Sequence, residues 1–593
     1  GFASRKWLGA VACIQKIYSL LKKVYSLLGN YKNKVFFILF IFILNTGVEI
    51  LGVGLVIPYI NILFHSDFNI KFIDNITSNT NKDSLVYYAS SIMLLIFFLK
   101  FLIGVFTNHI ILKFSYSVQS SLRIDLMRSY TNLDYQSFIK KSSSYYIDLI
   151  HRLTGLYQGL LVSLLKVLSE GFIFGIILVY LLFKAWAFIL ILSLTLFPII
   201  LIYDRAIRNK LSMLGDKSTV YNESMVKSVK EFSAGFKFLK VLGISDYFNK
   251  KLSLNAELFS NNQCKYLTIA QTPRFLVEFM VVVFILLVVV FTQVINLKTE
   301  DAFAYIALFG VVAIRFKPIV SVFTEYLSNF RFSRSYIDIL FDSYNSPDNH
   351  KLKKYYQSEF KNIKIDSFRM EKINFEYNYS TNFSLNDIDL FFNKGEAIGI
   401  IGPSGSGKTT LVDILLGLIR PSSGSIYIND LKVDNDFMEL QSSLAYLPQE
   451  NFIIEGTLKE NIALGLPIDE IDTDLVCNVL ESANLRDFVD SLPKGLDTFV
   501  GEDGVMLSGG QKQPVSLARV LYFNKDIIIM DEATSALDSE NERKIIDEIN
   551  NLKGEKTLIV IAHRLSTVHN CDRIYKLDCG KVLKVGTPKE ILL

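Results

Sequence analysis

The stretch Gly402-Pro403-Ser404-Gly405-Ser406-Gly407-Lys408-Thr409 lies between an apolar run, Ala397 to Ile401, and a helix-like run that begins at Thr410. The spacing G-x-x-x-x-G-K-[ST] between a strand and a helix is typical of a phosphate-binding P-loop. Its glycines let successive backbone N–H groups converge on phosphate oxygens, and the helix N-terminus adds positive potential. Lys408 is expected to reach the β- and γ-phosphates of a nucleotide, and Thr409 to hold its Mg²⁺. The candidate phosphate ligands are Gly402, Ser404, Gly405, Gly407, Lys408, Thr409 and Thr410. The alternative is a chance glycine-rich turn.

Composition indicates a membrane protein. The chain has 593 residues, of which 50% are hydrophobic, and its mean hydropathy is positive, which is unusual for a soluble protein. The net charge of +4 is too small for a chain of this size to suggest a nucleic-acid partner. The five cysteines and six histidines show no ligand spacing, so we expect no metal other than the nucleotide's own Mg²⁺.

Six apolar segments precede the P-loop, and each is near or above the roughly 20 residues that an α-helix needs to cross a bilayer. They cover approximately 35–64, 88–114, 156–183, 185–203, 272–295 and 302–329. These segments predict an all-α six-helix transmembrane domain over 35–329. Buried helices of a soluble core are the alternative.

Basic residues indicate the orientation of these spans. The connections between the second and third spans and between the fourth and fifth are rich in Lys and Arg, whereas those around 65–87, at Lys184 and around 296–301 are poor in them. By the positive-inside rule both termini and the two long connections are cytoplasmic. The long connections also continue the helical pattern, which predicts helical extensions with a short turn at each tip. Residues 1–34 predict an amphipathic helix at the cytoplasmic membrane surface, with a signal peptide as the alternative.

The pattern changes after the last span. Residues 330–366 form a polar linker, and 367–593 alternate strands with helices, which predicts a soluble α/β nucleotide-binding domain. Within it, the strand-like stretch that begins at Asp526 is apolar from Ile527 to Met530 and ends in Asp531 and Glu532. Asp531 would hold Mg²⁺, and Glu532 could accept a proton from the attacking water. A pair of acids at a helix start is the alternative reading.

The segment Leu507-Ser508-Gly509-Gly510-Gln511 between these motifs resembles the signature of ABC transporters of the exporter type. The resemblance covers nearly the whole chain and implies an ATPase coupled to transport. It places adenine stacking at Tyr377, the Q-loop at Gln449 and the switch histidine at His563, with Gln449 also a metal ligand. It further implies that Ser508, Gly509, Gly510 and Gln511 of one chain close over the ATP held by another.

One P-loop and one signature in the chain therefore predict a half-transporter that works as a homodimer. A heterodimer with a degenerate partner is the alternative. One position departs from the family pattern: Pro514 stands three residues after the signature glutamine, where the family usually has arginine. Proline lacks the N–H donor, so this helix must either begin late or lose a hydrogen bond.

A basic residue within a predicted span carries a charge that is costly there and tends to face a cavity. Lys100, Arg274 and Arg315 could line a positive cavity for an anionic head group. Alternatively they reach the membrane interface or pair with Glu49, Glu170 or Glu278.

The runs Ile57-Pro58-Tyr59-Ile60 and Pro273-Arg274, the Arg315 to Pro318 spacing and Ser169-Glu170 resemble lipid-linked oligosaccharide flippases of the PglK kind. That resemblance implies that Lys100, Arg274 and Arg315 engage a substrate pyrophosphate. Lys100 replaces an arginine of the family, which keeps the charge but loses bidentate geometry.

These features together predict a multi-pass exporter of the bacterial inner membrane that uses ATP to flip a lipid-linked oligosaccharide. The alternatives are an exporter of peptides, drugs or lipid A-type lipids, and, in another class, a soluble ABC ATPase acting on nucleic acid. Six predicted spans argue against the last.

Overall fold

The computed structural model describes residues 18–64, 82–294, 319–345, 364–377, 384–433, 438–531, 539–562 and 565–592. The chain forms two compact units. The helical unit comprises Gly1–Leu133 and Ile139–Lys353, and the α/β unit comprises Asp134–Phe138 and Lys354–Leu593. A short segment from the first predicted cytoplasmic connection therefore belongs to the α/β unit.

The helical unit is built mainly from very long helices. We number them α1 (18–26), α2 (Lys34–Phe64), α3 (Lys82–Thr131), α4 (Tyr135–Ile139, largely in the α/β unit), α5 (Ser143–Ile147), α6 (Thr154–Leu242), α7 (Ser245–Val294), α8 (319–332) and α9 (Arg334–Tyr344). A 3₁₀ turn at Gly29–Tyr31 precedes α2, and a π-helical turn at Asp148–Leu153 joins α5 to α6.

The helices extend far beyond the apolar segments. α3 continues to Thr131 and α6 to Leu242, so the two basic connections are helical, with short turns near residues 132–134 and at Gly243. At Gly243 the chain adopts a left-handed conformation with φ of 69°, which ends α6.

The predicted turn at Lys184 does not interrupt the helix, because the backbone is helical throughout the 89 residues of α6. Lys184-Ala185-Trp186-Ala187 contains neither Gly nor Pro, so nothing in the local sequence breaks helical hydrogen bonding. Among the described residues, three helical stretches are long and apolar enough to span a membrane, namely Lys34–Leu51, Val86–Thr131 and Ser143–Ile176. The sixth predicted span, 302–329, lies largely outside the described residues, and the count of six stays a prediction.

The N-terminal segment packs on protein through its apolar side, which differs from the expected position on lipid. Leu20, Val24, Leu27 and Leu28 are buried in one core with side chains of α2, α3, α6 and α9. The Tyr157 hydroxyl donates to the Val24 carbonyl at 2.8 Å, and Lys23 pairs with Asp338 on α9 at 2.5 Å. Residues 1–17 lie outside the described residues.

In its described part, the α/β unit contains ten strands and several short helices. The strands are β1 (Ser367–Glu376), β2 (Ser384–Asn393), β3 (Ala397–Ile401), β4 (Ser423–Ile428), β5 (Leu431–Lys432), β6 (Leu444–Leu447), β7 (Ile527–Asp531), β8 (Thr557–Ile561), β9 (Arg573–Asp578) and β10 (Lys581–Gly586). The helices are α10 (Lys408–Leu415), α11 (Met438–Ser442), α12 (Leu458–Ile462), α13 (Thr473–Ser482), α14 (Arg486–Ser491), α15 (Gly509–Phe523), α16 (Ser539–Asn551) and α17 (Pro588–Leu592).

Two sheets organise this unit. An antiparallel sheet has the order β2-β1-β4-β5, and a six-stranded sheet has the order β10-β9-β3-β8-β7-β6. Within the second sheet β6, β7, β8, β3 and β9 are parallel. One hydrophobic core lies between α10 and the two sheets, and the other joins the opposite side of the large sheet to α12, α13 and α15. The predicted fusion of a helical membrane domain to an α/β nucleotide domain is confirmed by this architecture together with the comparisons below.

Candidate functional site

The nucleotide motifs meet at one edge of the six-stranded sheet. In the parallel register Ile400 on β3 lies opposite Ile561 on β8, and Ile561 lies opposite Asp531 on β7. The P-loop therefore leaves β3 at the same edge where β7 presents Asp531. Gln449 follows the end of β6 by two residues and is exposed at this edge. Carboxyl ends of parallel strands are where ligands bind in open α/β sheets.

The P-loop requires glycine at Gly402 because of a close backbone approach. A Cβ at this position would lie 2.3 Å from the Leu577 carbonyl oxygen. Gly405 and Gly407 have φ values of 79° and 103°, a region that other residues rarely adopt. Ser404, Gly405 and Thr409 are exposed, so the loop presents an open surface. The sequence predicted this shape from the glycine spacing alone.

Lys408 is buried beneath that surface. Its Nζ donates to the carbonyl oxygens of Gly402 and Pro403, both at 2.9 Å, and the residue is 6% exposed. These contacts hold the ammonium group inside the loop that it closes. A phosphate bound by the loop would meet a cation that is already oriented.

Tyr377 lies beside the start of α10. Its hydroxyl is 3.4 Å from Thr410 Oγ1, and its ring packs edge-on against Phe375 with centroids 4.8 Å apart. The aromatic ring that the resemblance assigns to adenine is thus near the helix that follows the P-loop. Its role as a base-stacking residue stays a prediction.

A group of three side chains at this edge was not identified from the sequence. The Tyr446 hydroxyl on β6 donates a hydrogen bond to the Asp531 carboxylate. Asp413 on α10 lies close to both, and burial together with the negative charge of Asp531 raises the pKa of the Asp413 carboxyl to about 6. The position of Tyr446 three residues before Gln449 was the available signal, but its partner depends on strand register.

The segment Asp134–Phe138 brings a fourth side chain to this group. Burial raises the pKa of the Tyr135 hydroxyl, and the charges of Asp413 and Tyr377 add to that increase. Tyr135 therefore lies near Asp413 and Tyr377 within the α/β unit.

The oxygen donors at the edge fit a magnesium ion. The exposed Thr409 hydroxyl, the Asp531 carboxylate and the exposed Gln449 amide are hard ligands of the kind that Mg²⁺ takes beside nucleotide phosphates. Glu532 and His563, the other predicted catalytic residues, lie outside the described residues, although each follows the end of β7 or β8 closely in sequence. Their roles and that of Gln449 stay predictions.

The signature segment forms an open helix start. Ser508 precedes α15, and its backbone N–H donates to Gln511 Oε1 at 2.8 Å. A Cβ at Gly509 or Gly510 would meet nothing within 4 Å, and neither glycine has a positive φ. No contact among the described residues explains two glycines here. Close approach of a ligand or of a second chain would.

Pro514 lies inside α15, which begins at Gly509 and continues to Phe523. The helix therefore does not begin late. The backbone hydrogen bond that an N–H at residue 514 would donate to the Gly510 carbonyl is lost. This carbonyl belongs to the signature itself. The cost is expected to be about 1 kcal/mol for the missing hydrogen bond.

Pro514→Arg is accordingly expected to raise the ATPase rate several-fold, because the restored N–H fixes the signature turn. Pro514→Ala is the matched control, since it restores the N–H without adding a charge at this buried position. The rates of the purified variants measure the effect. Rates equal to that of the parent in both variants would show that Pro514 does not limit signature geometry.

The three predicted cavity residues have different surroundings. Lys100 Nζ is 3.0 Å from Glu49 Oε1, and both side chains are largely buried between α2 and α3. Arg274 is 3.8 Å from Glu278 and remains 57% exposed. Arg315 lies outside the described residues. Two of the three cations thus have the carboxylate neighbours that the sequence offered as the alternative, and Lys100 is the more fully neutralised.

Comparisons with known proteins agree with this site. The family model described as ABC transporter matches residues 385–535, which include the P-loop, the signature and Asp531. The lipid A-core flippases of Ralstonia nicotianae and Bordetella avium are 42% and 43% identical over 226 and 210 residues, which are 38% and 35% of each chain. A Staphylococcus aureus protein named as a multidrug export ATP-binding/permease protein is 40% identical over 236 residues, again 40% of each chain. The matches thus span about two fifths of the length of these relatives.

The fold comparison extends over nearly the whole chain. A solved bacterial Atm1-family ABC exporter with ATP bound has a TM-score of 0.78 at 20% identity, covering 95% of this chain and 96% of that one. The chain thus has the fold of that exporter, and residues 385–535 within it match the ABC transporter family model. The resemblance to ABC exporters is confirmed, whereas the finer resemblance to flippases of the PglK kind stays a prediction.

Proposed function

We propose that the chain is one half of an ATP-driven ABC exporter of the bacterial inner membrane, and that two copies form the working transporter. The observation that carries this proposal is the open glycine pair at Gly509 and Gly510, in a chain with one P-loop and an exporter fold. Each ATP would lie between the P-loop of one chain and the signature of the other. Hydrolysis would use Mg²⁺ held by Thr409, Gln449 and Asp531, with Glu532 and His563 acting on the attacking water.

The segment Asp134–Phe138 would couple ATP hydrolysis to transport. It is continuous with α3, the helix that contains the second predicted span, yet it belongs to the α/β unit. Closure of the ATP sites would displace this segment and the helix joined to it. Closure of the ATP sites would in this way be coupled to movement of α3.

We further propose that the cargo is an anionic lipid-linked oligosaccharide. Support comes from the sequence resemblance described above and from relatives that are named as flippases of a lipid, the lipid A-core flippases. The half-exposed Arg274 provides a cation toward which a pyrophosphate could bind. Lipid A-type lipids and drugs are the second candidates, since the relatives' names include both.

Lys100 is expected to balance the charge of the buried Glu49 carboxylate. Because its ammonium group is paired with a largely buried carboxylate, its removal would leave Glu49 uncompensated, which typically costs about 3–5 kcal/mol. Loss of transport in a Lys100 variant could therefore reflect instability. The double variant Glu49→Gln/Lys100→Met removes both charges and avoids this effect, so it tests Lys100 as a substrate ligand.

Arg274→Ala combined with Arg315→Ala is expected to lower flipping at least about tenfold, because each lost charge-assisted bond to pyrophosphate is worth about 1.5–3 kcal/mol. Proteoliposomes containing a fluorescent polyprenyl-pyrophosphate oligosaccharide, lipid A or a drug in separate assays measure the effect. Glu278→Gln is the matched control, since it removes the carboxylate neighbour of Arg274 and keeps the cation.

Two results would overturn the cargo proposal. One is wild-type protein that hydrolyses ATP in the same vesicles but leaves the oligosaccharide lipid in its original leaflet. The other is a double-arginine variant that flips as fast as the control. Flipping of lipid A or export of a drug by the wild-type protein would then identify the cargo among the alternatives.

A further inference from the structure

Tyr446 lies on β6, which is the outermost strand on one side of the six-stranded sheet. Its Cα is paired with Ile529 on β7, and Asp531 stands two residues further along that strand. Side chains alternate along a strand, and cross-strand partners share a face. Tyr446, Ile529 and Asp531 therefore project from the same face of the sheet. Ile529 packs in one core with Leu411 and Val412, so this is the face that α10 covers.

The Tyr446 hydroxyl is placed to hold the Asp531 carboxylate by its hydrogen bond. A tyrosine hydroxyl has an ordinary pKa of about 10 and is therefore protonated at neutral pH. A neutral O–H fixes a carboxylate without cancelling its charge. A lysine or arginine in the same place would weaken the attraction of Asp531 for a divalent cation.

Asp413 explains why such a donor is needed. It lies on α10 near Asp531, and neighbouring carboxylates repel each other. This repulsion favours rotation of Asp531 away from Asp413. The hydrogen bond from β6 opposes that rotation.

The fold itself does not require the hydroxyl. Tyr446 is 38% exposed, so its hydroxyl could be satisfied by water, and a phenylalanine would fill the same space on the strand. What the hydroxyl adds is one oriented bond to Asp531. Partners of a metal-binding side chain that fix its orientation typically contribute 10–100-fold to metal affinity or activity.

We propose that Tyr446 is a positioning residue for magnesium binding, holding the Asp531 carboxylate in the orientation that accepts Mg²⁺ with ATP. The inference rests on the proposed ATPase function and concerns Asp531 in its role there. Tyr135 lies near the same group, so the segment Asp134–Phe138 borders the bond that fixes the metal ligand.

Tyr446→Phe tests this inference in the full-length protein. The Mg²⁺ concentration for half-maximal ATP hydrolysis is expected to rise about tenfold, with the rate at saturating Mg²⁺ less affected. An independent readout is Mn²⁺ binding in the presence of a non-hydrolysable ATP analogue, followed by electron paramagnetic resonance, which should weaken by a similar factor. Binding of the analogue without metal should be unchanged.

Tyr575→Phe is the control, because it also removes a tyrosine hydroxyl from the α/β unit, one that donates to the Phe391 carbonyl at 3.0 Å and accepts from the Phe391 N–H at 3.1 Å. It should leave both metal measurements at the wild-type values. A Tyr446→Phe variant whose Mg²⁺ and Mn²⁺ dependence matches that of Tyr575→Phe would overturn the inference. Wild-type protein without any ATPase activity would instead contradict the proposed function, so the two failures are distinguishable.

Discussion

Replacing Lys408 by alanine is expected to lower ATP hydrolysis by at least about 100-fold, the loss typical of removing one oriented group that stabilises transition-state charge. In the structure the ammonium group is buried and donates to the carbonyls of Gly402 and Pro403. It is therefore oriented before nucleotide binds. Without it the loop loses both its internal tie and the cation that meets the β- and γ-phosphates.

Steady-state ATPase rates of purified protein measure this effect, with nucleotide binding followed separately. Lys553→Ala is the matched control, since Lys553 also donates to a backbone carbonyl, that of Asn570 at 2.9 Å, and lies on the segment after α16. The control should retain wild-type hydrolysis. A Lys408→Ala variant that hydrolyses ATP as fast as the control would show that Lys408 has no role in hydrolysis.

Gly510→Asp is expected to abolish hydrolysis while leaving the folded chain at least as stable. A Cβ at Gly510 meets nothing within 4 Å, and a non-glycine residue in a helix gains up to about 0.5–1 kcal/mol over glycine. An acidic residue in the first turn is also favourable for the helix. Opposite a phosphate held by a second chain, the same carboxylate is repelled and prevents closure.

The opposite signs of the two effects make this variant informative. Thermal unfolding should show no loss, whereas the ATPase rate should fall by at least about 100-fold. Gly510→Ala adds only a methyl group and should lose less activity. Wild-type hydrolysis in Gly510→Asp would mean that no phosphate approaches the signature.

Local pattern was sufficient for the parts of the site that depend on consecutive residues. The strand, loop and helix around Gly402–Thr409 follow from glycine spacing and apolar runs, and Asp531 at the end of β7 follows from a buried strand that ends in acids. The long helices of the two basic connections could likewise be predicted from continuous helical periodicity.

Features that depend on how helices and strands pack against one another could not be predicted from the sequence. The bond between Tyr446 and Asp531 requires the register of β6 against β7. Pairing with Glu49 was one alternative offered for the basic residues of the spans, but its selection by Lys100 requires the rotation of α2 against α3. The contact of Leu20 and Val24 with protein has the same cause, because an amphipathic pattern does not say whether lipid or another helix covers the apolar side.

Mixing two inactive variants shows whether each ATP site is shared between two chains. Differently tagged chains are purified as mixed pairs in two arrangements: Lys408→Ala with Gly510→Asp, and the doubly substituted chain with wild type. If each ATP site combines the P-loop of one chain with the signature of the other, the first pair has one intact site and hydrolyses ATP. The second pair then has none and stays inactive. Activity in the second pair and not in the first would show that each site lies within one chain. This result would contradict the proposal that two chains share each ATP site.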